Sequence, residues 1–189
     1  MRVMSLLKVK KKQNRKTVKN MTKHERYVEL SKSMGARNAR YFSIEEIAFD
    51  PRTILKCRWG CDDFGKLHTC PSAPHSLSIK DYIETFKHYN SGIIIHCNNK
   101  TDCQKISLEI ERLAYLDGYY FALSLSDCAI CSECKGKNGQ PCIAPKLARP
   151  AFHSVGVDVF KTVKNMGLPL FPLKEKTDEQ NWYAAVFIE

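Results

Sequence analysis

The residues best suited to chemistry in this sequence are cysteines gathered in one short stretch. Three stand at steps of three and a fourth follows after seven further residues: Cys128, Cys131, Cys134 and Cys142, called here the four-cysteine set. On a loop that leaves a strand, this spacing lets a tight turn aim three thiolates at one iron–sulfur cubane, as in bacterial ferredoxins. Zinc sites usually draw on two separated pairs of ligands. We therefore predict a [4Fe–4S] cluster here, with zinc as the alternative metal.

The fourth cysteine departs from the ferredoxin spacing. In bacterial ferredoxins it follows after three residues and directly precedes a proline. Here Cys142 comes after seven residues, and Pro145 lies three positions beyond it. The sequence leaves open whether Cys142 completes the same cluster or reaches another one.

A second group of cysteines lies earlier in the chain, in a stretch that contains Gly60 and Gly65. Its members are Cys57, Cys61 and Cys70, called here the three-cysteine set. The glycines give a loop the conformational freedom to wrap around a second cluster or a metal ion. Three ligands leave one position for a fourth group, and the candidates are His68, His75, His153 and Cys142. An open position is the other interpretation, because metal centres bind substrate at such positions.

The remaining two cysteines fit a packing role. Cys97 ends an apolar strand pattern and Cys103 lies on the apolar stripe of a predicted helix, so neither is assigned to a site. The first nine residues offer only a four-residue apolar run, which is too short for a secretory signal. We therefore expect a reducing, cytoplasmic environment, where clustered cysteines bind metal or do redox work more often than they form disulfides.

The positive charge is concentrated at the start of the chain. The net charge is +10, but residues 1–40 hold 13 Lys and Arg against two acids, so residues 41–189 sum to −1. A neutral body argues against a broad nucleic-acid surface. We predict that residues 1–20 form a disordered basic tail that contacts RNA or anionic lipid only weakly. No apolar run approaches the roughly 18 residues of a membrane span.

The elements that must position the cysteines alternate along the chain. Helices are predicted over 22–35, 78–89, 101–118 and 150–166, the first three from capping boxes at Thr22, Ser78 and Thr101. Strands are predicted over 53–56, 92–97, 119–126, 168–174 and 182–188. The expected fold class is α/β (an α+β sandwich), with a central mixed sheet of about five strands flanked by helices. Residues 21–189 would form a single metal-binding domain carrying two cysteine-rich loops.

Two polar features border the cysteines. Asp127 precedes Cys128 and is either a solvated acid or a group that steers protons. The Arg149-Pro150 pair either orients an anion at a helix N-terminus or forms a salt bridge.

With these residues in view, the chain resembles the predicted metal-binding protein family catalogued as domain of unknown function 2284, which occurs in methanogens and other anaerobes. The resemblance spans about residues 40–170. It is carried by Lys56-Cys57, Cys61, Phe64-Gly65-Lys66, Thr69-Cys70-Pro71, Gly118-Tyr119-Tyr120, residues 128–142, Arg149-Pro150 and residues 156–159. Ser72 replaces a second proline of the family pattern, and residues 151–153 lack an acid expected there. The resemblance implies metal binding of the iron–sulfur type, without an established reaction.

Three functions are compatible with these features. The leading one is an iron–sulfur protein with one or two [4Fe–4S] clusters that relays electrons to a redox partner protein. The second is an enzyme that uses an open three-cysteine cluster as a Lewis acid or sulfur acceptor for a small-molecule substrate. The third is a structural zinc-binding adaptor. No nucleotide-binding loop and no supportable Ser-His-Asp assignment is found in the sequence.

Overall fold

The computed structural model describes residues 21–175 and 177–189. The predicted disordered tail, with its proposed weak binding of RNA or lipid, lies outside these residues. The described helices are α1 (Lys23–Ser33), α2 (Thr53–Gly60), α3 (Ile79–Phe86), α4 (Lys100–Leu116) and α5 (Val159–Asn165). The strands are β1 (Asn38–Ser43), β2 (Ser91–Cys97), β3 (Leu123–Leu125) and β4 (Trp182–Phe187). Short 3-10 helices occupy Ile44–Glu46, Lys135–Asn138, Pro145–Leu147 and Phe152–Val155.

The four described strands form one antiparallel sheet in the order β1-β2-β4-β3. The prediction of a mixed sheet of about five strands was therefore wrong in both strand number and direction. Two predicted strands, 53–56 and 168–174, are not strands in the structure, whereas β1 was not predicted. Over 168–174, Pro169 and Pro172 remove two backbone donors that a ladder would need. The predicted strand over 119–126 is also shortened to three residues.

Helices cover both faces of the sheet, as the predicted sandwich requires. On one face, Tyr27 of α1 and Ile106 and Ile110 of α4 pack against Ile93 and Ile95 of β2. On the other face, α3, α5 and the turn Phe152–Val155 pack against the opposite side chains of the sheet. Every residue of β2 is buried. The sheet is thus the rigid layer from which the cysteine-bearing segments extend.

The helix caps explain where α1 and α4 begin. Thr22 and Glu25 form the predicted capping box of α1. Helix α4 is instead capped by Asn99, whose side chain accepts the Asp102 N–H at 2.8 Å. The predicted cap at Thr101 was therefore wrong by two residues. As a consequence, the side chains of Thr101 and Gln104 are available for contacts outside the helix.

Residues 53–56 form the start of α2, which corrects the prediction of a strand. β-Branched residues favour strands only where a pleated neighbour is available. Residues 53–56 do not pair with β1 or β3, which form the edges of the described sheet. Residues 48–50 are tied instead to residues 156–158, because Asp158 N bonds Ala48 O and Asp50 N bonds Gly156 O, both at 2.8 Å. Helix α2 consequently packs beside the turn Phe152–Val155.

The predicted helix over 150–166 is divided in two. Gly156 has a φ of +87°, and a Cβ at this position would lie 2.7 Å from Ile83 Cγ1 of α3. Only glycine fits this close approach without strain. The chain turns here, and Asp158 then caps α5 by accepting the Lys161 N–H at 3.1 Å.

Candidate metal centre

Helix α2 carries one member of the three-cysteine set and leads directly to a second. Cys57 lies within the helix, and Cys61 follows Gly60 as the C-terminal cap, where the backbone is extended. Cys70 follows on the next loop and is buried. Its Sγ accepts a hydrogen bond from Leu67 N at 3.3 Å and donates one to Asp63 O at 3.4 Å. The loop backbone therefore orients this thiol.

The thiols of the three-cysteine set influence one another electrostatically. The pKa of Cys57 is raised to about 11, mainly by burial and then by the nearby Cys61, Cys70 and Asp127 in that order of size. The Cys57 thiol is consequently protonated at neutral pH in the metal-free chain. A bound cation reverses this preference, because coordination favours the thiolate and releases the proton.

The four-cysteine set lies on the irregular segment that follows β3. Burial raises the pKa of Cys128, a hydrogen bond with Gln104 opposes this shift, and the neighbouring Cys131, Cys142 and Cys134 raise the pKa again. Cys142 therefore lies near Cys128, which precedes it by 14 residues in the chain. This arrangement favours Cys142 as the fourth ligand of that set.

The side chain of Gln104, on α4, forms hydrogen bonds near both ends of this segment. Its side chain is fully buried. Gln104 Oε1 accepts the Ala129 N–H at 2.5 Å, and Gln104 Nε2 donates to Leu147 O at 3.0 Å. Thr101 Oγ1 adds a hydrogen bond to Ala129 O at 3.2 Å. This role was not predicted from the sequence, in which Thr101 and Gln104 match the two ends of a capping box.

Replacing Gln104 by Leu is expected to loosen the four-cysteine set. The substitution keeps the side-chain volume but leaves the Ala129 N–H and the Leu147 carbonyl without partners, which costs about 2–4 kcal/mol. Loss of such supporting hydrogen bonds typically lowers metal affinity by about 10- to 100-fold. Chemical denaturation and competition with a chelator measure the two effects. Lys105→Leu is the control, since Lys105 is exposed on the same helix, and equal metal affinity in the two variants would contradict the assigned role.

The two cysteine-bearing segments touch each other. Lys137 Nζ, beside the four-cysteine set, lies 2.6 Å from Asp63 Oδ2 on the loop of the three-cysteine set. The hydrogen bond from Lys137 lowers the pKa of the Asp63 carboxyl. Gly136 packs so closely on the same loop that a Cβ there would lie 2.7 Å from Lys66 O. The two cysteine-bearing segments are thereby held in contact.

Gly136→Ala is expected to separate the two segments. The added methyl group would clash with backbone, which cannot rotate away as a side chain can, so a loss of about 1–3 kcal/mol of unfolding free energy is expected. Gly60→Ala is the matched control, because a Cβ at Gly60 meets nothing within 4 Å and the backbone there is helical. Thermal unfolding of both variants tests the contact, and equal stability would show that the segments do not pack together in solution.

Asp127 directly precedes Cys128 and lies near Cys57 and His153. Burial raises the pKa of the Asp127 carboxyl, while nearby His153 and Lys100 oppose the shift. Burial lowers the pKa of His153, and Asp127 is the largest influence in the other direction. Asp127 is therefore a partly buried acid beside Cys57, and the solvated alternative considered from the sequence does not describe it.

The histidines proposed as a fourth ligand have different surroundings. The rings of His68 and His75 lie 4.2 Å apart, and His75 Nε2 is 2.8 Å from the carbonyl oxygen of His68. His68 is two residues from Cys70, so of the two it is the better placed to complete the three-cysteine set. His153 lies near Asp127, which raises the pKa of its imidazole against the larger effect of burial.

Arg149 serves the fold. It forms a mostly buried ion pair with Glu111 of α4 and also donates to the backbone carbonyl of Ala148 at 2.8 Å. Glu111 in turn accepts the Ser124 N–H of β3 at 2.7 Å. The salt bridge predicted as one of two alternatives is thus present, and no α-helix begins at Pro150 to bind an anion.

All nine cysteines lie within the described residues, and none forms a disulfide. Cys97 and Cys103 are buried in the core between the sheet and α4, as predicted. Residues 21–175 and 177–189 contain no group of three or more His, Cys, Asp and Glu side chains already arranged around one point as a metal site. The seven other thiols suit soft metals such as iron in iron–sulfur clusters or zinc, and loading would require their side chains to converge.

Comparisons with known proteins agree with this assignment at the level of the family. A family model described as "Predicted metal-binding protein (DUF2284)" matches residues 40–188. No curated protein and no solved structure shows a significant match. In the described part of the chain, no helix has the length and apolarity needed to cross a membrane.

Proposed function

This chain belongs to the DUF2284 family of predicted metal-binding proteins, and we propose that it binds one or two [4Fe–4S] clusters and relays electrons. Cys128, Cys131, Cys134 and Cys142 would hold one cluster. Cys57, Cys61 and Cys70 would hold the second. A bound cluster supplies one-electron redox chemistry at a potential set by its protein surroundings.

The observation that carries the proposal is the position of the two thiol sets on adjoining segments. The pKa of Lys137 is raised mainly by Asp63 and to a smaller extent by the nearby Cys134 and Cys61. One lysine is therefore close to a member of each set. Two redox centres held this near each other suit electron relay better than two unrelated structural sites.

The surrounding residues would tune the two centres differently. Backbone N–H groups stabilise negative charge on thiolate sulfur, and Leu67 N already donates to Cys70 Sγ. Gln104 lies near Cys128 and lowers the pKa of its thiol. Hydrogen bonds to cluster sulfurs raise the reduction potential, whereas the carboxylate of Asp127 beside Cys57 opposes added negative charge. Two centres of different potential would give the relay a direction.

The protein purified without oxygen is expected to be brown and to contain roughly 8 iron and 8 sulfide per chain if both clusters form. Iron, sulfide and zinc analysis of the same sample, with the visible spectrum before and after dithionite, measures this. About half that amount would support a single cluster. Stoichiometric zinc with negligible iron and sulfide would contradict the proposal and support a structural zinc-binding adaptor.

A further inference from the structure

Positive charge is concentrated on the two cysteine-bearing segments. Residues 52–75 and 127–149 together hold eight Lys and Arg but four Asp and Glu, so they carry +4. The rest of residues 41–189 carries −5. In the metal-free chain, the basic excess of a nearly neutral body therefore lies on the two cysteine-bearing segments. Such a separation of charge steers an oppositely charged partner towards one side of a protein.

Helix α2 presents the most exposed part of this basic excess. Trp59 lies between Cys57 and Cys61 in the chain, and 78% of its surface is exposed. The Arg58 guanidinium lies 5.5 Å from the centre of the Trp59 ring. Lys56 and Arg58 are exposed, and neither forms an ion pair within the described residues. Most other basic side chains of the two segments are paired with acids of this chain.

We propose that Lys56, Arg58 and Trp59, called here the docking face, bind an acidic electron-carrier protein. This inference rests on the proposed function, because it supplies the partner that a relay needs. Aromatic and arginine side chains are enriched among residues that dominate the energy of protein interfaces. The unpaired charges guide the approach of an acidic partner, and the exposed indole provides apolar contact on the helix that carries Cys57.

RNA is the other polyanion that a basic patch with an aromatic residue attracts. Proteins that bind single strands stack successive bases on several aromatic side chains along a basic groove. The docking face has one aromatic ring on a helix of eight residues. Its small size and its place beside the thiols favour a compact acidic protein.

The fluorescence of Trp59 provides a direct test of binding. The chain has two tryptophans, and Trp182 is only partly exposed. The iron-loaded full chain would be titrated with an oxidised, acidic plant-type [2Fe–2S] ferredoxin as the probe. We expect saturable quenching, and the binding affinity obtained from it should fall by about tenfold or more as salt rises from low to near-molar concentration. No saturable quenching in a chain with full iron and sulfide would overturn the docking face while leaving the proposed function intact.

Charge-reversal variants distinguish the effect of the docking face on binding from the effect of net charge alone. Lys56→Glu/Arg58→Glu should weaken probe binding by about tenfold at low salt. Lys80→Glu/Lys164→Glu makes the same change in net charge at two exposed lysines on α3 and α5 and should leave binding within about twofold. The basic residues 1–20 are common to both variants and cannot explain a difference. Equal weakening in the two variants would overturn the inference.

A second pair of variants tests the indole without changing charge. Trp59→Ala should weaken probe binding by about tenfold, measured by calorimetry because the fluorophore is lost. Phe121→Ala is the control, since 85% of Phe121 is exposed on the turn before β3. If an RNA oligonucleotide bound in a manner that depended on Trp59 and the ferredoxin did not bind, the partner would be RNA, and the inference of an acidic protein would be wrong. A zinc-loaded chain would contradict the proposed function whatever the probe does.

Discussion

Replacing Cys131 by Ser is expected to remove about half of the bound iron and to lower the stability of the loaded protein. Cys131 is the middle member of the closely spaced run, so its loss should abolish one cluster and leave the other. Residues around Cys128 and Cys142 have little regular structure, and metal binding contributes directly to the folding free energy of such segments. Iron and sulfide analysis and thermal unfolding measure the two effects.

Cys103→Ser is the matched control for this experiment. It makes the same chemical change at a cysteine in the core, where Cys103 Sγ lies 3.5 Å from Trp182 O and 3.6 Å from Ile95 O. A serine hydroxyl can donate to the same carbonyl oxygens, so iron content should stay at the parent value. Unchanged iron in Cys131→Ser, or equal loss in both variants, would show that the four-cysteine set is not a ligand set.

The second large effect is expected at the three-cysteine set. Seven cysteines are one short of the eight that saturate two cubanes, and the other two lie in the core. Cys142 lies near Cys128, and closing a short loop costs less entropy than recruiting a distant ligand. The centre at Cys57, Cys61 and Cys70 should therefore have one iron without a cysteine ligand. Water, His68 or a substrate would occupy that position.

The Cys131→Ser variant isolates this centre for spectroscopy. Adding cyanide or a small thiolate should change its spectrum, and mild oxidation should release its iron several-fold faster than the parent loses the iron of its four-cysteine set. In the same background, His68→Ala should increase the response if His68 fills the position, whereas His75→Ala serves as the control. If the spectrum of the centre does not change with added ligands and the centre resists oxidation in all these variants, its fourth position is filled by a protein ligand. The enzyme alternative, with its Lewis-acid or sulfur-acceptor chemistry, would then be dropped in favour of electron relay.

Features set by neighbours in the sequence could be predicted directly. The capping box of Thr22 and Glu25 needs only a four-residue pattern, and α1 begins where that pattern places it. The apolar run of β2 is confirmed as a fully buried strand. The family was also evident from its short motifs, and the matched family model confirms it. The ligand sets themselves, drawn from cysteine spacing, stay predictions.

Other features depended on contacts between distant residues. Residues 53–56 became helical because residues 48–50 are bound to residues 156–158 and direct α2 beside a turn rather than beside a strand. Asn99 took the cap of α4, and this shift allowed Gln104 to bind Ala129 and Leu147, 25 and 43 residues away. The spacing of residues along the sequence does not indicate which distant residues form such pairs.

The amino-acid sequence by itself determined which side chains are available as ligands, since thiol number, spacing and charge are properties of the chain. Only the tertiary structure decided that the two cysteine-bearing segments adjoin, through Lys137 with Asp63 and through the close packing of Gly136 on Lys66. The physical reason is that a hydrogen bond or a steric contact depends on separation in space. Residues 63 and 137 come together because the sheet and α4 fix the segments that carry them.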